Sequence, residues 1–430
     1  MTSIKNWKRN FALFIAGQGI TLFGSMLVHY AVMWYITLKT QSGIMMTMIA
    51  VAGALPMFFI SPFAGVWADR YNKKLLINIS DAAIALVTLC LAIIFSLGLE
   101  LIGLLLFCLV MRAFGQGIQM PAVNALVPEL VPKEHLTRIN GISSSVQSLV
   151  FFASPMAGGA LLAVAPIHTL MYIDVVTASI GISILWFFVK VPIREDRSVS
   201  KAGANQYFVE IKEGLTYIGG QAFVKKLLVI SALFNIMVAP AAMLTPLQVA
   251  RNWGDGIWVL AGRISFGAEH RLAAIEIAFS VGMMLGGLLL GLWGGFKNRS
   301  HTNALSMSLF GIGAVALGLI ADFWVYLLCM GLIGFVMSMF NAPMMATIQT
   351  NVDSAYMGRV MSVLAMMGSL MMPLGMVLWG PLSDVVAIDW LLVVTGAMIF
   401  LSGYVFVLDK TLLRAGEPVS SEIFHDADCP

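Results

Sequence analysis

The stretch that decides the reading is Gly65-Val66-Trp67-Ala68-Asp69-Arg70-Tyr71-Asn72-Lys73-Lys74. It is a short charged turn between two apolar runs, each long enough to be a helix. A weaker copy, Gly291-Leu292-Trp293-Gly294-Gly295-Phe296-Lys297-Asn298-Arg299, returns 226 residues later. Two further landmarks repeat in the same order: Pro121 with Arg138 is echoed by Pro343 with Arg359, and Pro155 by Pro373. A loop and two prolines recurring in the same order at offsets of about 220 mark a chain built from two similar halves.

Working outward from that turn, apolar runs of about 20 residues recur from Asn10 to Leu408, and each is long enough to cross roughly 30 Å of hydrocarbon as a helix. We count twelve, at 10–38, 44–67, 75–97, 101–123, 139–164, 168–189, 225–248, 272–294, 302–321, 324–347, 358–381 and 389–408. The 430 residues are 59% hydrophobic and only 11% charged, with a mean hydropathy of +0.90. Soluble domains carry about a quarter charged residues, so the composition excludes a water-soluble enzyme, a nucleic-acid binder and a disordered chain. The expected fold is an all-α membrane protein of twelve helices in two pseudo-symmetric six-helix bundles.

The charges are sorted. With the amino terminus placed inside, twenty of the 25 Lys and Arg residues fall on the inner face, among them Lys73, Lys74, Lys133, Arg138, Arg299 and Arg359. This bias predicts both termini in the cytoplasm and a multi-pass protein of the cell membrane. The interval 190–226 holds eleven charges and divides the chain into bundles 1–189 and 225–409, with a linker at 190–224 and a tail at 410–430. Tyr207, Ile211, Leu215 and Ile218 lie near helical spacing, as on an amphipathic helix at the inner surface or a plain charged linker. The external segment 251–270, with Trp253, Gly254, Asp255, Gly256 and Trp258, reads as an anchored loop or a short lid.

Arg112 falls inside a span, where a charge costs about 2.5–3.5 kcal/mol even on lenient insertion scales. Something must offset it. Gln116 and Gln119 continue its helical face, helix one carries Gln18, Thr21, Ser25 and His29, and helix five carries Asn140, Ser144 and Gln147. Polar stripes on helices one, four and five fit a shared aqueous cavity, or Arg112 bonds helix carbonyls. Candidate substrate contacts are Gln18, Ser25, Gln116, Gln147, Asn235 and Asn341. Eleven of the 29 methionines lie between Met337 and Met376, a surface able to adapt to apolar ligands or simply to pack.

Coupling to protons needs an embedded group whose charge can change. The candidates are Asp81, Asp174, Glu276 and His29, with Arg112 as their partner; a structural cap or interhelical bond is the competing role for each carboxylate. No P-loop, His-Glu-x-x-His or Gly-x-Ser-x-Gly pattern is present, so we expect no enzyme, cofactor or metal. Cys90, Cys108, Cys329 and Cys429 lack metal-ligand spacing.

The turn Gly65-x-x-x-Asp69-Arg70-x-x-Lys73-Lys74 resembles the loop signature of the major facilitator superfamily, and Arg112-x-x-Gly115-x-Gly117 resembles its second signature. Ser154-Pro155-Met156-Ala157-Gly158-Gly159 is similar to the end of the drug-antiporter signature, with Ser154 in place of a glycine. Phe14-x-x-Gly17-Gln18 and the Ala-Asp-Arg-x-x-Lys-Lys loop look most like bacterial macrolide efflux pumps and related siderophore exporters. The resemblance spans essentially the whole chain. It implies a monomeric secondary transporter that exports bulky amphipathic compounds by proton antiport, with membrane lipids, protons and a small substrate as partners.

Under that resemblance Gly65, Asp69, Arg70, Lys73 and Lys74 form a gating latch, Arg112 belongs to the proton relay, and Pro155, Gly158 and Gly159 form a bend in helix five. The family has a further glycine where this chain has Asn72, which also tolerates a left-handed turn. Alternatives are a siderophore exporter or lipid transporter of the same fold and, from another class, a membrane scaffold or receptor.

Overall fold

A computed structural model describes residues 6–191, 213, 216–253, 258–260, 264–353 and 356–417. Among them are twelve helices long and apolar enough to cross a membrane. They are α1 (Trp7–Thr40), α2 (Gly43–Arg70), α3 (Lys73–Ser96), α4 (Ile102–Leu130), α5 (Leu136–Val164), α6 (Ile167–Phe188), α7 (Ala222–Trp253), α8 (Ala268–Trp293), α9 (Arg299–Leu319), α10 (Phe323–Asn351), α11 (Met357–Leu382) and α12 (Ile388–Leu408). A short helix α13 (Lys410–Ala415) follows. Helices are the only open-ended way to satisfy every backbone N–H and C=O inside hydrocarbon, which is why apolar runs of this length take no other form.

Two helices depart from regular α geometry. α6 ends in a π turn over Ile184–Phe188, and α7 passes through another at Pro240–Leu244. Pro240 cannot donate to the preceding turn, so the hydrogen-bond ladder must shift there. Pro155 lies inside α5, which runs unbroken over Leu136–Val164. The external segment contains a small hairpin, β1 (Trp258–Leu260) against β2 (Ile264–Phe266), antiparallel with Trp258 opposite Phe266. The amphipathic helix expected around 207–218 lies mostly outside the described residues; residues 216–220 are helical.

Contacts divide the chain into two compact units. One unit joins residues 1–210 to 242–277 and 372–386, so α1–α6 gather the second part of α7, the start of α8 and the end of α11. Near the amino terminus its core holds Phe11, Phe14, Ile77, Leu126, Leu130 and Leu185. The other unit joins 211–241, 278–371 and 387–430. There the helices approach through glycine: a Cβ on Gly311 would sit 2.6 Å from the Gly396 carbonyl, and one on Gly334 would run into the Phe279 carbonyl.

Candidate functional site

Arg112 of α4 is 3% exposed and is paired with Asp174 of α6, itself fully buried. Its Nη1 donates to Asp174 Oδ2 and to Thr88 Oγ1 of α3, and its Nη2 donates to the Ser25 carbonyl of α1 at 3.2 Å. Ser25 Oγ donates to the second oxygen of Asp174 at 3.3 Å. Four helices therefore satisfy one buried pair, which meets the requirement that a buried charge be both paired and hydrogen-bonded.

Elsewhere among the same four helices Asp81 of α3 is 2% exposed. Gln119 Nε2 donates to its Oδ1 at 2.5 Å and reaches Gln18 Oε1 of α1 at 3.5 Å. Asp81 Oδ2 has no hydrogen-bond partner, nor do the amide atoms of buried Asn78 one turn away. Two carboxylates thus stand in contrasting settings: Asp174 faces a guanidinium, and Asp81 faces neutral amides.

The polar stripes on α1 and α4 meet, and α3 and α6 complete their hydrogen bonds. On α5, Ser144, Gln147 and Ser148 are exposed. The α5 signature residues pack closely against their neighbours. A Cβ on Gly159 would collide with Ala273 Cβ of α8 and lie 3.3 Å from the Trp34 ring, while one on Gly158 would lie 3.5 Å from the Leu27 carbonyl. Ser154 Oγ donates to the Phe23 carbonyl at 3.4 Å, so the residue that replaces the family glycine ties α5 to α1. Glu276, half-buried, lies one turn from Ala273, and His29 packs edge-on against Tyr30 at 5.9 Å. Asn235 donates to the Ser231 carbonyl at 2.8 Å, Gln116 is half-buried and Asn341 is exposed. Asp174 neutralises the Arg112 guanidinium.

At the turn after α2, Lys73 pairs with Glu129 at the end of α4, 2.7 Å away. Lys74 Nζ donates to the Trp186 and Val189 carbonyls at the end of α6, each at 2.8 Å. A cation on exposed helix carbonyls is favoured by their partial charge. Asn72 is extended (φ −67°) rather than left-handed, and its side chain accepts from Leu75 N to cap α3. Gly65 makes no close approach: a Cβ there would have no atom within 4 Å. The Asp69 side chain lies outside the described residues.

The repeat carries the same contacts. Arg299 Nη1 donates to the Ala346 carbonyl and Thr350 Oγ1 near the end of α10, as Lys73 reaches the end of α4. Ser300 Oγ and Asn298 Nδ2 donate to the Leu412 and Leu413 carbonyls beyond α12, as Lys74 reaches the end of α6. Gly294 and Gly295 adopt φ of 77° and 78°, a conformation that favours glycine.

Sequence reasoning missed Thr88, Glu129, Arg251 and Asp384. Thr88 is a lone threonine in an apolar run and carries no signal by itself. Asp384 accepts hydrogen bonds from residues more than 300 positions away, which no local pattern reports.

Twelve spanning helices, repeated turns and a buried ion pair define a multi-pass membrane protein of the secondary-transporter class. The chain matches the Major Facilitator Superfamily over residues 10–375 and belongs to it. It is 30% identical over 402 residues to macrolide efflux protein A of Streptococcus pyogenes, covering 93% of this chain and 95% of that protein. It is 22% identical over 380 residues to the staphyloferrin A transporter of Staphylococcus aureus, covering 87% and 90% respectively. A crystal structure of the nucleoside transporter NupG shares the fold, with a TM-score of 0.71 at 13% identity over 94% of this chain and 98% of that one. The chain is a transporter and not an enzyme.

Proposed function

We propose that this protein exports bulky amphipathic compounds of the macrolide kind from the cell, by alternating access of the bundles 1–189 and 225–409. The observation that carries the reading is the likeness to macrolide efflux protein A over 93% of the chain. Both termini lie in the cytoplasm on this reading, as the inner-face bias of Lys and Arg requires, and the protein acts as a monomer in the plasma membrane. The Met337–Met376 region supplies an adaptable apolar surface, and Gln18, Gln116, Gln147, Asn235 and Asn341 supply polar handles.

Export is driven by proton entry. Asp81 is the exchangeable group, a buried carboxylate held by the Gln119 amide rather than by a cation. Arg112–Asp174 is the fixed ion pair of the same helix group, and Glu276 and His29 are the further relay candidates. The turn at Gly65, Asp69, Arg70, Lys73 and Lys74 holds the cytoplasmic side in one state and releases it in the other.

The test is macrolide susceptibility and accumulation in a pump-deficient bacterium expressing the chain, with and without a protonophore. Lower accumulation that the protonophore abolishes is expected. Unchanged accumulation for every macrolide removes the substrate assignment, and protonophore-insensitive efflux removes the proton. Export of a siderophore is the second reading, favoured by the staphyloferrin A transporter relative.

A further inference from the structure

At the end of the first unit opposite the amino terminus, α2 begins without a cap of its own. Its N-cap residue, Ser42, is extended and makes no side-chain bond to the first turn. The cap comes instead from Asp384, in the turn after α11. Gly43 N donates to Asp384 Oδ1 at 2.6 Å, Ile44 N donates to Oδ2 at 3.0 Å, and Ser42 Oγ donates to Oδ2 at 2.9 Å. A carboxylate in this position satisfies orphan amides and meets the positive end of the helix dipole.

Arg251, in the last turn of α7, straps the junction. Its Nη2 donates to Asp384 Oδ1 at 2.8 Å and to the Gln41 carbonyl at 2.6 Å, and its Nη1 donates to the Ser383 carbonyl at 2.7 Å. One guanidinium thus bridges the residue two positions before α2 and the first residue after α11. Beneath it the two backbones touch. A Cβ on Gly43 would run into the Gly380 carbonyl and Ser383 Oγ, and Thr47 Oγ1 donates to the Met376 carbonyl at 2.8 Å.

We propose that Asp384 and Arg251 form a detachable clasp, a carboxylate cap shared between α11 and α2 and strapped by α7, which holds this end of the transporter closed and lets go when it opens. Three features suit release rather than permanent locking. The Arg251 and Asp384 side chains are 28% and 24% exposed, so water can take over their hydrogen bonds. Ser42 is a residue type that caps helices well, so its hydroxyl can accept from the α2 amides once Asp384 leaves. The contact below joins glycine backbones through two short hydroxyl side chains, Ser383 and Thr47, with no long side chain to extract. The inference needs membership of the transporter family, but neither the macrolide nor the proton assignment.

The test is maleimide labelling of T47C in purified protein whose four native cysteines have been replaced. Thr47 lies under the clasp, and a second background that retains only Cys108, buried in α4, reports general loosening. D384A is expected to speed labelling at position 47 about tenfold, as loss of a charged helix cap implies. R251Q keeps the cap and loses the strap, and about threefold is expected. Labelling at Cys108 stays at the parent rate in both. Parent-like labelling at position 47 in both variants overturns the clasp, as does parallel acceleration at Cys108, which marks unfolding. The assay contains no substrate and no pH gradient, so its failure is distinct from failure of the export reading.

Discussion

The two repeated halves solve the same packing problem with different chemistry. In the first half, α4 carries Arg112 nine residues before Pro121; in the second, α10 carries Gly334 nine residues before Pro343. Arg112 gathers α1, α3 and α6 through Ser25, Thr88 and Asp174. At Gly334 the backbone of α8 comes so close that a Cβ would strike the Phe279 carbonyl. Apolar burial offers little drive between helices already in lipid, so association rests on close backbone contact or on polar bonds. One half uses mainly the polar bond and the other mainly the glycine contact, and only the polar solution leaves a network that a proton or ligand can rearrange.

The sharpest way to break this contrast is to remove one member of the buried pair. Arg112→Ala or Asp174→Ala leaves an uncompensated buried charge and is expected to cost about 3–5 kcal/mol, read as a lower melting temperature in detergent. Arg112→Met combined with Asp174→Leu should recover most of that stability yet leave efflux dead. A double variant that also exports normally would make the pair purely structural. Next in size, Gly334→Ala should cost about 1–3 kcal/mol by forcing α8 and α10 apart. An unchanged melting temperature would show that the glycine approach is dispensable.

Asp81→Asn separates folding from coupling. Asn can still receive the Gln119 bond, so the melting temperature should move by less than about 1 kcal/mol equivalent, while efflux driven by a pH gradient falls to its protonophore level. Retained gradient-driven efflux would return the proton to Asp174 or Glu276. The smallest effects are expected at the repeated turns, where Lys73→Ala and Arg299→Ala should each cost about 0.5–1 kcal/mol, since their contacts are partly exposed. A Lys73/Glu129 double-mutant cycle with no coupling would dismiss that bond as a latch.

The ends of the helices offer a pH check on the same scale. Burial raises the Asp384 carboxyl, but the Gly43 and Ile44 amides, Ser42 and Arg251 outweigh it and hold the group below the usual carboxylate range. Lys226 does the same for Asp409. A depressed carboxyl contributes its full stability above its unfolded value, near 3.9, and loses it only as the pH falls through the folded one. These two groups should therefore leave the melting temperature flat from neutral pH to about 5. A decline over that interval that D384A abolishes would contradict the arrangement around Asp384.

Much of this was written in the residues. Run length and the scarcity of charge specify twelve helices, because hydrocarbon admits no other open-ended backbone. The repeated turn and prolines show two halves, and a charge at Arg112 demands a partner because its burial is costly. The sequence by itself could not choose that partner among Asp81, Asp174 and Glu276. The choice belongs to the tertiary structure, because it depends on which faces of α1, α3, α4 and α6 turn toward one another. The clasp was still further from view: Asp384 caps a helix that starts more than 300 residues earlier, and hydrogen bonds across such separations are set by packing and leave no periodicity in the chain.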